Sequence, residues 1–331
     1  MMKNVTYLLL ALCFLAVSCN KEEASVENYI TFFPYVQSVE SASTKAVVPD
    51  ESYIKEKKLS VVVNDIAASP VFNNTTIPCS DNGFWISTMH WDPNIEYSFY
   101  GYIASKGEGT DANVTVSNKG YAVTLVQPTV YVHDENAWSD FLLSYIVKPD
   151  PKYTPIVGLQ FERVTSAIEI YISKAREDKV TLSEVSISDV TNQMTYSIMS
   201  HANEDRTQTG YRNVWSQKAG DGKVTYSRTE SIELSRFMAG DDRFDQKFLL
   251  MSILTVPQKI AGRLSLSYSV VENGVESAYT AEYDLSTLPV TELILGHRLR
   301  YYIKIDTSVD VQAVVVPWKE VDLVEGTFLP R

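Results

Sequence analysis

Cysteine is nearly absent from this 331-residue chain: Cys13 and Cys19 fall close to its start, and Cys79 is the only thiol after them. One thiol forms no intramolecular disulfide, so the folded part must hold together by burying apolar surface. With 45% hydrophobic residues it has the material to do so, and the length suggests two domains of ordinary size. Positive charge is also scarce. Lys and Arg number 29 against 41 acidic residues, for a net charge of -12, and such a field repels phosphate. That excludes electrostatic binding of nucleic acid or of anionic lipid headgroups. Glycine is sparse as well, and 20 Tyr against 14 Gly fit a chain of strand formers rather than a disordered linker.

Reactive constellations are missing too. His90, His133, His201 and His297 are widely separated, with no His-x-x-x-His or Glu-x-x-His pair to ligate a metal. No Gly-x-Ser-x-Gly elbow occurs. Cys79 sits in Pro78-Cys79-Ser80-Asp81, a turn-like stretch whose Asp81 does not supply the electropositive setting of a reactive thiol, and it reads as structural. Gly240-Asp241-Asp242-Arg243-Phe244-Asp245 lacks the alternating ligands and terminal Glu of a calcium loop and reads as a solvated loop. Gly107-Glu108-Gly109-Thr110 has no Lys and no following helix, so it is a turn and not a phosphate cradle. No catalytic, metal or cofactor residue is therefore assigned. Trp85, Trp91, Trp138, Trp215 and Trp318 could form a glycan-binding platform, but core packing is the favoured role for each.

What is present begins at Met1-Met2-Lys3-Asn4, whose single charge precedes an apolar run from Val5 to Val17. That run is shorter than the ~20 residues of a spanning helix and reads as a signal peptide over residues 1–18. It ends in Leu15-Ala16-Val17-Ser18-Cys19, which resembles a bacterial lipobox and makes Cys19 the expected acylated N-terminus; the alternative is an ordinary signal peptide with an incidental Cys. Residues 19–28 would form a lipidated tether. Within it, Asn20-Lys21-Glu22-Glu23 resembles the signal that sends lipoproteins to the outer face of the outer membrane.

Strand signals dominate the remainder. Lys58 to Val63, Asn113 to Ser117, Tyr121 to Leu125 and Ala167 to Ile172 are short β-branched or alternating runs. Asn118-Lys119-Gly120, Asp221-Gly222 and Asn273-Gly274 read as hairpin turns, the last between the alternating runs Leu264 to Val270 and Ser277 to Tyr283. Helical spacing of Trp138, Phe141, Leu142 and Tyr145 predicts a helix over 135–144, and a second is expected after Ser235. Pro149, Pro151 and Pro155 mark a linker. The expected fold is all-β, with β-sandwich domains over 29–155 and 156–331 and short helices in loops.

Several segments resemble the fimbrillin family, which includes lipoprotein subunits of type V pili. In the second half these are Leu159-Gln160-Phe161-Glu162-Arg163 leading into Ala167-Ile168-Glu169-Ile170, then Leu254-Thr255-Val256-Pro257-Gln258, Gly296 to Ile305, and Val314-Val315-Val316-Pro317-Trp318. In the first half they are Ile30-Thr31-Phe32-Phe33, Thr44-Lys45-Ala46 and Ala137 to Leu143. The resemblance implies two transthyretin-like sandwiches and a non-enzymatic subunit without cofactor; attachment to the outer membrane is expected from the lipid on Cys19, since the chain's charge offers none. It further implies assembly with other pilus subunits by strand donation; a host or glycan ligand is a candidate further partner. Proteolysis would remove a first strand around Tyr29 to Val36 by a cut within Ser38 to Ala46. Maturation in the family can use an Arg-specific protease, which has no target there, since the first Arg is Arg163; either Lys45 is the cleavage residue or the chain is an anchor or tip subunit that is not cut there. Val321 to Arg331 alternate in part and could be a donor strand or a last strand of the chain's own sheet. A surface glycan-binding lipoprotein is the alternative reading.

Overall fold

The computed structural model of the chain describes residues 28–35, 51–66, 70–104, 111–117, 120–127, 141–150, 155–201, 212–220 and 222–317. Strand β1 (Tyr29–Tyr35) is followed by a short helix α1 (Glu51–Glu56), then β2 (Val61–Asp65), β3 (Thr75–Ile77), β4 (Trp85–His90) and β5 (Phe99–Ala104). Next come β6 (Asp111–Ser117), β7 (Gly120–Val126), β8 (Phe141–Ser144) and β9 (Ile156–Arg163). The series continues with β10 (Ser166–Lys174), β11 (Lys179–Thr191), β12 (Gln193–His201), β13 (Arg212–Ala219), β14 (Lys223–Glu233) and β15 (Leu249–Thr255). It ends with β16 (Gln258–Lys259), β17 (Arg263–Glu272), β18 (Val275–Asp284), β19 (Glu292–Leu293), β20 (His297–Ile305) and β21 (Val309–Pro317). The all-β expectation holds.

One sheet runs β3-β2-β5-β8-β9-β1-β4. A bridge between Cys79, just after β3, and Trp85, the first residue of β4, brings its two ends together. The sheet thus curls around its own core of Ile30, Phe32, Val61, Val63, Trp85, Phe99, Val157 and Leu159. Part of its outer face is covered by a second sheet, β13-β12-β7-β6. There Tyr100, Phe141 and Leu143 meet Tyr121, Val123 and Leu125 of β7 and Met194, Tyr196 and Ile198 of β12. Strands from the second half of the chain therefore complete layers begun by the first: β9 lies between β8 and β1, and β12 pairs with β7.

The remaining core lies between sheets β15-β10-β20-β21 and β14-β11-β17-β18, filled by Ile168, Ile170, Val185, Ile187, Leu264, Leu266, Leu299 and Tyr301 among others. A small pair, β16-β19, stands beside it. Gln258 fastens the crossing from β11 to β12: its Oε1 accepts from Thr191 N at 2.7 Å and its Nε2 donates to Thr191 O at 2.6 Å.

Two of the three expected hairpins form. Ser117 is the partner of Gly120 in β6-β7, and Glu272 of Val275 in β17-β18. Asn273 and Gly274 hold φ of 49° and 78°, the two positive values that a two-residue turn of matching twist requires. Asp221-Gly222 is not a hairpin. Strand β13 pairs with β12 whereas β14 pairs with β11, so the chain passes there from one sheet to another.

Of the helix expected over 135–144, residues 135–140 lie outside the described residues and the rest is a strand; the second expected helix does not form. Phe141–Ser144 is β8, with all four residues buried; both of its faces are covered, which erases the period-2 signal of a strand. After Ser235 the chain stays extended, because Lys174 N donates to Ser235 O at 3.0 Å and Phe237 N to Lys174 O at 2.8 Å.

Candidate functional site

The first strand is the element to which the sequence attached a role, and β1 is an inner strand of its sheet. It pairs parallel to β9, with Thr31 opposite Ile156 and Tyr35 opposite Gln160, and antiparallel to β4, with Thr31 opposite Ile86 and Phe32 opposite Trp85. Alternation places Ile30 and Phe32 inside at 0% exposure. The Phe32 ring meets Phe72 and Phe99 edge-on, with centroids 5.6 and 5.1 Å away. Pro34 follows the last β4 partner, where only β9 is alongside, so its missing N–H breaks no two-sided ladder. The start of the strand is fixed by Trp91 N donating to Asn28 O at 2.7 Å.

The pocket holding Phe32 is lined from three directions. Phe99 comes from β5, Phe72 from the loop before β3, and Trp85 from β4. Trp85 itself is fully buried, packs against Phe161 and donates from Nε1 to Leu59 O at 2.9 Å. If β1 left, β9 and β4 would each face an unpaired row of backbone groups across a slot lined by these rings.

The other singled-out residues take quieter positions. Trp91 is buried with its ring 4.7 Å from Tyr97, so Trp85 and Trp91 are core residues and offer no platform. Trp138, Trp318 and the side chain of Trp215 lie outside what is described. Cys79 is half-buried, and burial pushes its thiol up, with Lys58 and Lys55 pulling back. His90 is exposed against the Tyr29 ring, while His297 is buried with Nδ1 2.8 Å from Leu295 O. His133 and the side chain of His201 lie outside the described residues.

In the acidic loop the carboxylates hold the loop's own shape. Asp241 accepts from Met238 N and Lys247 Nζ, Asp242 from Phe244 N, and Asp245 from Lys247 N. Among the described residues no group of three His, Cys, Asp or Glu is placed to hold a metal. Cys19, Lys45, the segment Ser38 to Ala46 and Val321 to Arg331 all lie outside the described residues.

Sequence reading missed a buried ion cluster in the second sandwich. Glu169, fully buried on β10, accepts from Arg298 Nη1 at 2.6 Å, Arg300 Nε at 2.7 Å and Tyr171 OH at 3.0 Å. Alternation of Glu169 and Tyr171 on one strand with Arg298 and Arg300 on another was the available signal. Nothing local indicated that β10 and β20 run parallel with Glu169 opposite Arg300.

No curated protein matches the chain. Among solved structures, a Bacteroides uniformis protein named as a candidate cell adhesion protein is 17% identical, covering 78% of this chain and 91% of that one with a TM-score of 0.45. A similarly named Bacteroides ovatus protein is 13% identical, covering 89% and 97%, with a TM-score of 0.43. A Bacteroides thetaiotaomicron protein named as a candidate polysaccharide-binding protein is 8% identical, covering 79% and 90%, with a TM-score of 0.34. The family described as fimbrillin-like matches over residues 44–318, from ahead of α1 to the end of β21, and the chain belongs to that family.

Proposed function

We propose that this protein is a non-enzymatic fimbrial subunit, exported as a lipoprotein through Cys19 and assembled at the cell surface by β-strand exchange, where it contributes to adhesion or surface structure. Membership of the fimbrillin-like family supports the pilus or adhesion role. The observation that carries the exchange mechanism is the position of β1, an inner strand with Ile30 and Phe32 fully buried and the first strand among the described residues. A cut after it would detach a whole strand while leaving every other strand of the sheet in one chain. The vacated slot would offer backbone partners on both sides and aromatic pockets at alternate positions, the features that bind an incoming strand.

The test is limited trypsin treatment of the purified chain, followed by electron microscopy and N-terminal sequencing of whatever assembles. Filaments whose subunits begin just after Lys45 are expected. Subunits still beginning at acylated Cys19 would sink the cleavage step, and a chain that stays monomeric while binding glycans would return the role to a glycan-binding lipoprotein.

A further inference from the structure

The outer face of β1 and its two neighbours carries no charge; its apolar side chains are exposed on the flanking strands and half-buried on β1 itself. Thr31 is the register partner of both Ile86 and Ile156, and these two are 53% and 52% exposed. One row further along, Phe33 meets Phe84, with centroids 6.4 Å apart, and Phe84 is 39% exposed. His90, exposed at the end of β4, packs on Tyr29. Residues 28–35, 84–91 and 155–161 contain no Asp, Glu, Lys or Arg, in a chain whose overall charged fraction is 21%. Among the described residues, the covering sheet packs over β5 and β8 and not over Ile86 or Ile156.

We infer that this face is where the protein, before any cut after β1, rests on a lipid surface. The inference rests on the reading of Cys19 as the acylated residue, because that tether fixes which side meets the membrane. Residues 20–28 link Cys19 to β1, and nine residues reach no more than about 30 Å. The face thus lies within reach of the bilayer whichever way the tether runs. An acidic protein is repelled by anionic headgroups, so an uncharged face carrying Tyr, Phe and Ile is the one that settles into the interface. The acyl anchor keeps the local lipid concentration high, and a face too weak to bind alone is then enough to orient the domain.

The experiment places an environment-sensitive fluorophore at Ile86→Cys, and for comparison at Tyr279→Cys on the far sandwich, both in a Cys79→Ser background. Two tethers are compared on phosphatidylcholine vesicles carrying nitroxide lipid: native lipidation, and a His-tag in place of residues 1–19 held by nickel-chelating lipid. Quenching at 86 and none at 279 is expected with both tethers. Quenching with the tag, combined with failure of the native chain to float with vesicles, keeps the lipid-facing surface and refutes lipidation at Cys19. Equal quenching at both sites of the tagged chain, or none at either, overturns the inference. So does a dimer of the tagged chain in solution that Ile86→Glu dissolves, which would assign the face to a second copy.

Discussion

Phe32 of β1 meets Phe99 of β5 edge to face, with centroids 5.1 Å apart and ring planes at 88°. Two strands separate them in the sheet, so the contact crosses the curled interior rather than following the ladder. This ring fixes β1 in a way that its backbone hydrogen bonds, replaceable by water at an opened edge, cannot.

Phe32→Ala should therefore destabilise the chain by about 3–5 kcal/mol, the usual range for emptying a buried Phe site. Urea unfolding followed by tryptophan fluorescence measures it, since Trp85 lines the same core. A loss within experimental error of zero would mean that β1 contributes little to the fold.

Glu169 should show the asymmetry of a buried ion cluster. Glu169→Ala leaves Arg298 buried against a vanished partner and is expected to lose about 3–5 kcal/mol. Glu169→Met combined with Arg298→Met should recover most of that, because the two most buried charges disappear together and the more exposed Arg300 can be hydrated. Thermal melts of the two variants decide the point, and equal losses would contradict it.

Glu162 predicts a pH dependence. Burial holds its carboxyl above the ordinary 4.5, and the hydrogen bond from Tyr145 OH pulls it partly back. A carboxyl raised in the folded state binds more protons folded than unfolded, so its contribution to stability falls as pH rises from 4.5 through the folded value. Glu162→Gln, which can still accept from Tyr145, should be more stable than the parent at neutral pH. That advantage should shrink as pH falls toward the ordinary carboxyl value. Denaturant midpoints across the acid range test the trend, and an advantage that grows on acidification would refute it.

Two glycines should respond differently to the same change. A Cβ on Gly262 would lie 1.8 Å from Ser188 O, inside the backbone of β11, so Gly262→Ala must displace a strand and should abolish folding of the second sandwich. Gly274 has open space around it and only its φ of 78° to defend, so Gly274→Ala should lose about 1 kcal/mol. Soluble yield and melting temperature separate the two outcomes.

Local signals in the sequence were sound wherever a strand has one wet face. Alternation and an Asn-Gly turn located β17 and β18, because β18 lies at a sheet edge with most of its residues exposed. The same logic misplaced Phe141–Ser144, whose neighbours at helical spacing imitate an amphipathic helix while both faces of β8 are in fact buried. Asp221-Gly222 has hairpin chemistry but joins two sheets, a choice made by distant partners. Pairings such as β7 with β12 or Glu169 with Arg300 depend on residues far apart in the chain, and no local pattern encodes them. Of the candidate site, the strand was legible from Ile30-Thr31-Phe32-Phe33. Its neighbours β9 and β4, and therefore the shape of the slot, were not.

That slot supplies a last prediction. In a chain cut within Ser38 to Ala46, β1 should stay seated without a covalent link, since Ile30 and Phe32 remain buried and each fully buried side chain of this size contributes about 1.5–3 kcal/mol. Release should then be governed by competition from another strand. A synthetic peptide spanning Tyr29 to Val36 should displace the native segment. The same peptide with Phe32→Ala should bind roughly a hundredfold more weakly or worse, the equivalent of losing about 3 kcal/mol. Fluorescence anisotropy of labelled peptide against the cut chain measures both. Equal affinities would show that the Phe72, Phe99 and Trp85 pocket does not select the strand, and that backbone pairing to β9 and β4 alone holds it.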